Sequence, residues 1–125
     1  MIATGMNHFT ILTDDVPGTV DFYRDLLGLV DGYRPDLGFP GAWLYVGPQA
    51  VLHIVGGRSR DALKPGVIDH IAFSATGLRA TLDTLAESGI RHDVRQQAGT
   101  GFWQVFFHDP NGARVELDFA ANERA

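Results

Sequence analysis

The 125-residue chain has no cysteine, which excludes disulfides, thiolate metal sites and a cysteine nucleophile. It has no apolar run near the roughly 18 residues of a membrane-spanning helix. Residues 1–12 also lack the basic start and apolar stretch of a secretory leader. Basic residues are outnumbered: ten Lys and Arg against fifteen Asp and Glu give a net charge of −5. Nucleic acid and anionic membranes both call for a basic footprint, so neither is expected as a partner. There is no dinucleotide fingerprint and no phosphate-cradling loop; Gly56-Gly57 is too short, and Gly99-Thr100-Gly101 reads as a loop tip. The expectation left is a soluble, cytoplasmic protein of one domain, residues 1–125. Its 45% hydrophobic content is enough for a core, and its partner is a small molecule.

What the chain does contain is a duplication. Met6 to Thr13 is rich in strand formers, and Asp15 and Pro17 supply a helix cap and first turn. Val20, Phe22, Tyr23, Leu26 and Leu27 recur at helical spacing, and Gly28 closes the helix. Strand-like runs follow at about 29–34, 42–46 and 50–55, then a polar linker from Gly56 to Gly66. The pattern restarts with a strand from Ile68 to Ser74 and a helix face of Leu78, Leu82, Leu85 and Ala86, which Gly89 closes. Three more strands are expected at 90–96, 102–107 and 113–119, the last two joined by the Asp109-Pro110-Asn111-Gly112 turn. Each half is β-α-β-β-β, and neither can cover both faces of its own sheet. The fold class is therefore α+β, with modules at about 5–56 and 67–120 pairing their sheets.

Four donors repeat with the modules. His8 and His70 are 62 positions apart, and His53 and Glu116 are 63 apart. Scattered surface histidines have no reason to follow a duplication, whereas a site assembled from two copies does. Three imidazoles and a carboxylate suit a divalent transition ion. His92 and His108 have no counterpart at this offset and are expected at the surface. Alternation along strands places His8, Thr10 and Leu12 on one face, and likewise His70, Ala72 and Ser74, Val51, His53 and Val55, and Arg114, Glu116 and Asp118. Trp43, Tyr45, Phe102, Trp103 and Gln104 are candidates to wall a pocket over these faces. Arg58, Arg60 and Lys64 read as solvated linker residues.

The order of elements, Phe22-Tyr23-Arg24-Asp25-Leu26-Leu27-Gly28, Asp69-His70-Ile71-Ala72-Phe73 and the run Phe107 to Leu117 together resemble the vicinal oxygen chelate superfamily, over roughly residues 5–119. That group spans glyoxalases, fosfomycin resistance transferases, extradiol dioxygenases and metal-free bleomycin-binding proteins. The resemblance implies a glyoxalase-like fold, two βαβββ modules forming a cup-like barrel within one chain or across a homodimer. It implies one divalent ion (Zn, Ni, Co, Mn or Fe(II)) on His8, His53, His70 and Glu116.

For function the resemblance implies lyase- or isomerase-type proton transfer on a substrate bound through two vicinal oxygens. Glu116 is then the catalytic base, and His53 is either a ligand or an acid/base group beside the ion. Glyoxalases usually have a carboxylate or amide at position 53. Histidine there leaves a divalent site at net charge +1 instead of 0, a stronger Lewis acid with one base fewer. The extradiol pattern is the alternative, with His8, His70 and Glu116 as a two-histidine, one-carboxylate triad. Those enzymes usually have a tyrosine ten positions before the glutamate, where this chain has Phe106, and are commonly four modules long. A non-catalytic, resistance-type protein that sequesters a planar ligand is the third reading; such relatives usually lose the donors this chain keeps.

Overall fold

The computed structural model describes residues 2 and 4–125. Its elements follow the duplicated order: β1 (Phe9–Leu12), α1 (Val16–Leu27), β2 (Val30–Gly32), β3 (Gly41–Val46) and β4 (Gln49–Val55), then β5 (Ile71–Ser74), α2 (Leu78–Glu87), β6 (His92–Gln96), β7 (Trp103–His108) and β8 (Arg114–Phe119). The chain divides into two compact units, 1–64 and 65–125. Each holds one four-stranded sheet, ordered β1-β4-β3-β2 in the first and β5-β8-β7-β6 in the second. The architecture is α+β, two βαβββ modules, as the residue pattern predicts. Among the described residues no helix is long and apolar enough to cross a membrane.

In the first module Asp15 caps α1, its Oδ1 accepting from Gly18 N at 3.1 Å. Gly28 ends the helix in the left-handed conformation at φ 76°, where its N–H returns to the Arg24 carbonyl. The buried face of α1 presents Thr19, Val20 and Tyr23, and Leu44, Leu52 and Ile54 of the sheet are fully buried. The linker is not wholly extended: Arg60–Ala62 forms one 3-10 turn, and Arg60 lies 3.5 Å from Asp14.

The second module buries Leu78, Leu82 and Leu85 of α2 together with Val105, Phe107, Val115, Leu117 and Phe119. No side chain of its own caps α2. Glu123, near the C-terminus, supplies the acceptor instead, with Oε1 taking Gly77 N at 3.1 Å and Leu78 N at 2.7 Å. The turn between β7 and β8 is built on Asp109, whose Oδ1 accepts from Asn111 N and Ala113 N, both at 2.8 Å. That turn sets the register of the hairpin, with Phe106 opposite Glu116 and Gln104 opposite Asp118.

The first strand of each module is shorter than its composition suggests. Pairing begins at Phe9 and Ile71, so His8 and His70 lie one residue before the ladders. Outside the ladder the backbone at Met6 and Asn7 is met by a side chain, Gln49, which donates to both carbonyls.

Candidate functional site

Both modules bring their donors together in the same way. β1 runs parallel to β4 with Thr10 opposite His53, and β5 runs parallel to β8 with Ala72 opposite Glu116. His8 and His70 stand two residues before these register positions and share a face with them. His8 thus reaches His53, with ring centroids 3.7 Å apart and 12° from parallel. His70 reaches Glu116, with Nε2 at 3.0 Å from Oε1. The expected donors occur as two pairs, one in each module. Among the described residues no three or more His, Asp or Glu side chains gather into a group that could hold an ion, so the expected four-donor set is not brought together.

The pair in the second module lies within hydrogen-bond and ion-pair distance, Nε2 to Oε1. Glu116 is only 6% exposed, and a buried carboxylate needs partners. Its Oε2 accepts from Gln104 Nε2 at 3.3 Å, and its Oε1 faces His70. Asp118, next on the same face, has its Oδ1 buried without a hydrogen-bond partner among the described residues. Burial, and then the hydrogen bond and charge of Glu116, push the Asp118 carboxyl up to about 6. An imidazole beside two carboxylates, one with a buried oxygen lacking a partner among the described residues, is donor chemistry that suits a divalent cation.

The pair in the first module is set differently. His53 is sandwiched, with His8 on one face and Trp43 on the other, the Trp43 centroid 4.0 Å away at 10°. Stacked rings direct their in-plane lone pairs side by side, so one ring must turn for both to meet an ion. Burial is the main cause that lowers the His53 pKa, and the neighbouring His8 adds to it. A neutral imidazole is the form that ligates or accepts a proton.

Several supporting residues were not singled out by sequence. Asp69 Oδ2 lies 2.8 Å from His70 Nδ1 and also accepts from Arg114 at 2.8 Å. Asn7 Oδ1 lies 2.7 Å from His8 Nδ1. The signal for this pair was present, since Asn7 and Asp69 repeat at the offset of their histidines. Of the expected walls, Trp43 and Gln104 contact donors directly, while the Tyr45 hydroxyl is committed to the Tyr33 carbonyl at 2.6 Å. Phe102 precedes β7 and is 47% exposed. Trp103 is a correction: one residue from Gln104, it projects from the opposite face, and its Nε1 donates to the Glu123 carbonyl at 3.0 Å. Of the two histidines set aside, His108 is exposed, and His92 is half-buried with Nδ1 at 2.8 Å from the Ile90 carbonyl.

Comparison with known proteins agrees with the two-module fold. Residues 5–117 match the family model of the Glyoxalase/Bleomycin resistance protein/Dioxygenase superfamily. Glyoxylase I 4 of Arabidopsis thaliana is 32% identical over 123 residues, covering 91% of this chain and 70% of that protein. A glyoxalase family protein from Bacillus anthracis superposes with a TM-score of 0.78 at 19% identity, over 96% of this chain and 98% of its own. A variant of the fosfomycin resistance protein FosX from Listeria monocytogenes, solved with Mn(II) and 1S,2S-dihydroxypropylphosphonic acid, gives 0.77 at 16% identity. It covers 95% of this chain and 94% of its own.

Proposed function

Because the chain belongs to the Glyoxalase/Bleomycin resistance protein/Dioxygenase superfamily, we propose that it is a divalent-metal-dependent enzyme of the glyoxalase type. It binds a small substrate through two vicinal oxygens and catalyses lyase- or isomerase-type proton transfer. The observation that carries this reading is the His70–Glu116 pair, 3.0 Å apart on one sheet and matched at the repeat offset by His8 and His53 on the other. A set of four donors would need both pairs.

A bound ion would polarise the two substrate oxygens and make the adjacent C–H more acidic. The remaining work belongs to side chains of this chain. Glu116 is the base that takes the proton at a carboxylate oxygen and returns it to the neighbouring carbon. Gln104 holds Oε2, so the carboxylate keeps its orientation while Oε1 is engaged. His53, neutral at pH 7 and stacked on Trp43, is a ligand when turned out of the stack and a second proton acceptor when left in it. Trp43 supplies an apolar wall beside His53.

The ring-cleaving alternative is weakened by Phe106. It sits opposite Glu116 in the ladder, edge-on to His70 with centroids 5.8 Å apart, and Arg95 and Arg114 lie against its ring at 4.5 and 4.3 Å. A phenol there could donate a hydrogen bond, but a phenyl ring cannot.

The deciding experiment is metal analysis of protein purified without a histidine tag, followed by assay of α-keto hemithioacetals, catechols and epoxide antibiotics. One ion per chain and turnover of hemithioacetals are expected. Catechol cleavage with oxygen consumption would establish the dioxygenase instead. Absence of any bound ion, with retained affinity for planar ligands, would establish a binding protein.

A further inference from the structure

Each module's first histidine is held by the residue immediately before it, and the two holders differ by one charge. We propose that Asn7 and Asp69 are positioning residues that fix which ring nitrogen of His8 and His70 is offered to the ion, and that the carboxylate in the second module makes His70 the stronger donor. The proposal rests on the metal-dependent reading above.

The hydrogen bonds repeat as the donors do. Asn7 Oδ1 is 2.7 Å from His8 Nδ1, and Asp69 Oδ2 is 2.8 Å from His70 Nδ1. Carboxylates stand at both ring nitrogens of His70, Asp69 Oδ2 at 2.8 Å from Nδ1 and Glu116 Oε1 at 3.0 Å from Nε2. With a cation held on the Glu116 side, Nε2 would be its ligand and the hydrogen would stay on Nδ1, toward Asp69. In the first module the amide oxygen of Asn7 imposes the same form on His8.

The strengths of the two bonds are unequal. A hydrogen bond to an ionised acceptor is roughly twice as strong as one between neutral groups, and a carboxylate partner raises the basicity of the opposite nitrogen. Asp69 Oδ2 also accepts from the Arg114 guanidinium, which can only donate, at 2.8 Å. Its side chain is 73% exposed, yet Arg114 anchors it while lying over the Phe106 ring, so its orientation is maintained. His8 has no such charge behind it and shares its ring face with His53.

Two measurements test this. Long-range 15N spectra of metal-free protein at about pH 9, where imidazoles are neutral, report which nitrogen holds the hydrogen. His8 is expected with hydrogen on Nδ1, and His70 with a share of it there in competition with Glu116; in Asn7→Ala and Asp69→Ala the corresponding ring should shift toward the Nε2 form. Competition titration with Zn(II) should show Asp69→Ala losing about 10- to 100-fold in affinity. Asp69→Asn should recover part of that loss, Asn7→Ala should lose less than Asp69→Ala, and Asn7→Asp should bind more tightly than wild type. Wild-type affinity in Asp69→Ala with unchanged nitrogen assignments would overturn the proposal, leaving Asp69 as a surface partner of Arg114. Wild-type protein that takes up no ion would overturn the metal reading and with it the ranking of donors. The spectra would still decide whether Asn7 and Asp69 set the ring forms.

Discussion

Trp43 lies flat against His53, with centroids 4.0 Å apart and ring planes 10° from parallel. The indole covers one face of an imidazole whose other face meets His8, and the resulting burial holds His53 neutral. A histidine whose folded pKa is lowered binds fewer protons than it does unfolded. Its contribution to stability is therefore intact above the unfolded value of about 6.5 and declines as pH falls from there toward the folded pKa. Thermal melts should show this loss on acidification, and Trp43→Ala should reduce it while raising the His53 NMR titration midpoint. In a Trp103→Phe background, Trp43 fluorescence should also change when Zn(II) is added, because ligation turns an imidazole out of the stack. An unaltered midpoint in Trp43→Ala would show that the indole does not control His53.

Asp118 should behave in the opposite sense. Its carboxyl is raised to about 6, so the folded protein holds a proton that the unfolded chain releases nearer 4. The associated stability is complete below the unfolded pKa and is lost as pH rises through about 6. At neutral pH a half-buried carboxylate with one buried oxygen lacking a partner among the described residues remains beside Glu116. Asp118→Asn should stabilise metal-free protein at pH 7 by on the order of 1 kcal/mol, and the gain should vanish near pH 4. Denaturant titrations at the two pH values decide it; an equal effect at both would refute the ionisation argument.

Glu116→Gln separates the structural and chemical roles of that residue. The amide retains an oxygen for the ion and for Gln104 but is no longer a base. Metal content should persist while kcat on the preferred substrate falls about 100- to 10,000-fold. Normal turnover would remove Glu116 from the proton transfer.

Much of this arrangement was legible because it is local or repeated. Asp15, Gly28 and Gly89 mark helix ends by their own conformational preferences, and a repeated offset singled out His8, His53, His70 and Glu116. Side-chain bonds between distant segments leave no such trace. Nothing in the spacing connects Glu123 to Gly77, the residue before α2, 46 residues earlier. Gln104 and Trp103 differ by one position, and only the hairpin register decides that the first supports Glu116 while the second holds the C-terminal tail. The His8 and His53 rings were expected to converge on an ion; their stacking follows from the parallel register of β1 and β4, which composition does not specify.

The tie from Glu123 predicts a stability effect away from the donors. Its carboxylate meets the Gly77 and Leu78 N–H groups at the positive end of α2, which has no cap of its own. Glu123→Ala should cost about 1 kcal/mol, the usual value of a lost helix cap with its charge, and lower Tm by a few degrees. An unchanged Tm would mean that water replaces the carboxylate at no cost.

If the two pairs belong to one site, as proposed, complementation decides whether they come from one chain or two. Donor-bearing faces need cover: Leu12, on the face of His8, is 41% exposed, and Val30, opposite Tyr45, is 61% exposed. His8→Ala damages the first module's pair, and His70→Ala the second's, so each variant alone should be inactive. If sites form across a homodimer, a mixed dimer contains one site with both lesions and one with neither. Random exchange of equal amounts makes half of the dimers mixed, so about a quarter of wild-type activity should return. Activity of wild-type protein should then also fall on dilution as dimers dissociate. If each site is built from modules of one chain, every site in the mixture carries a lesion, and mixing should restore nothing.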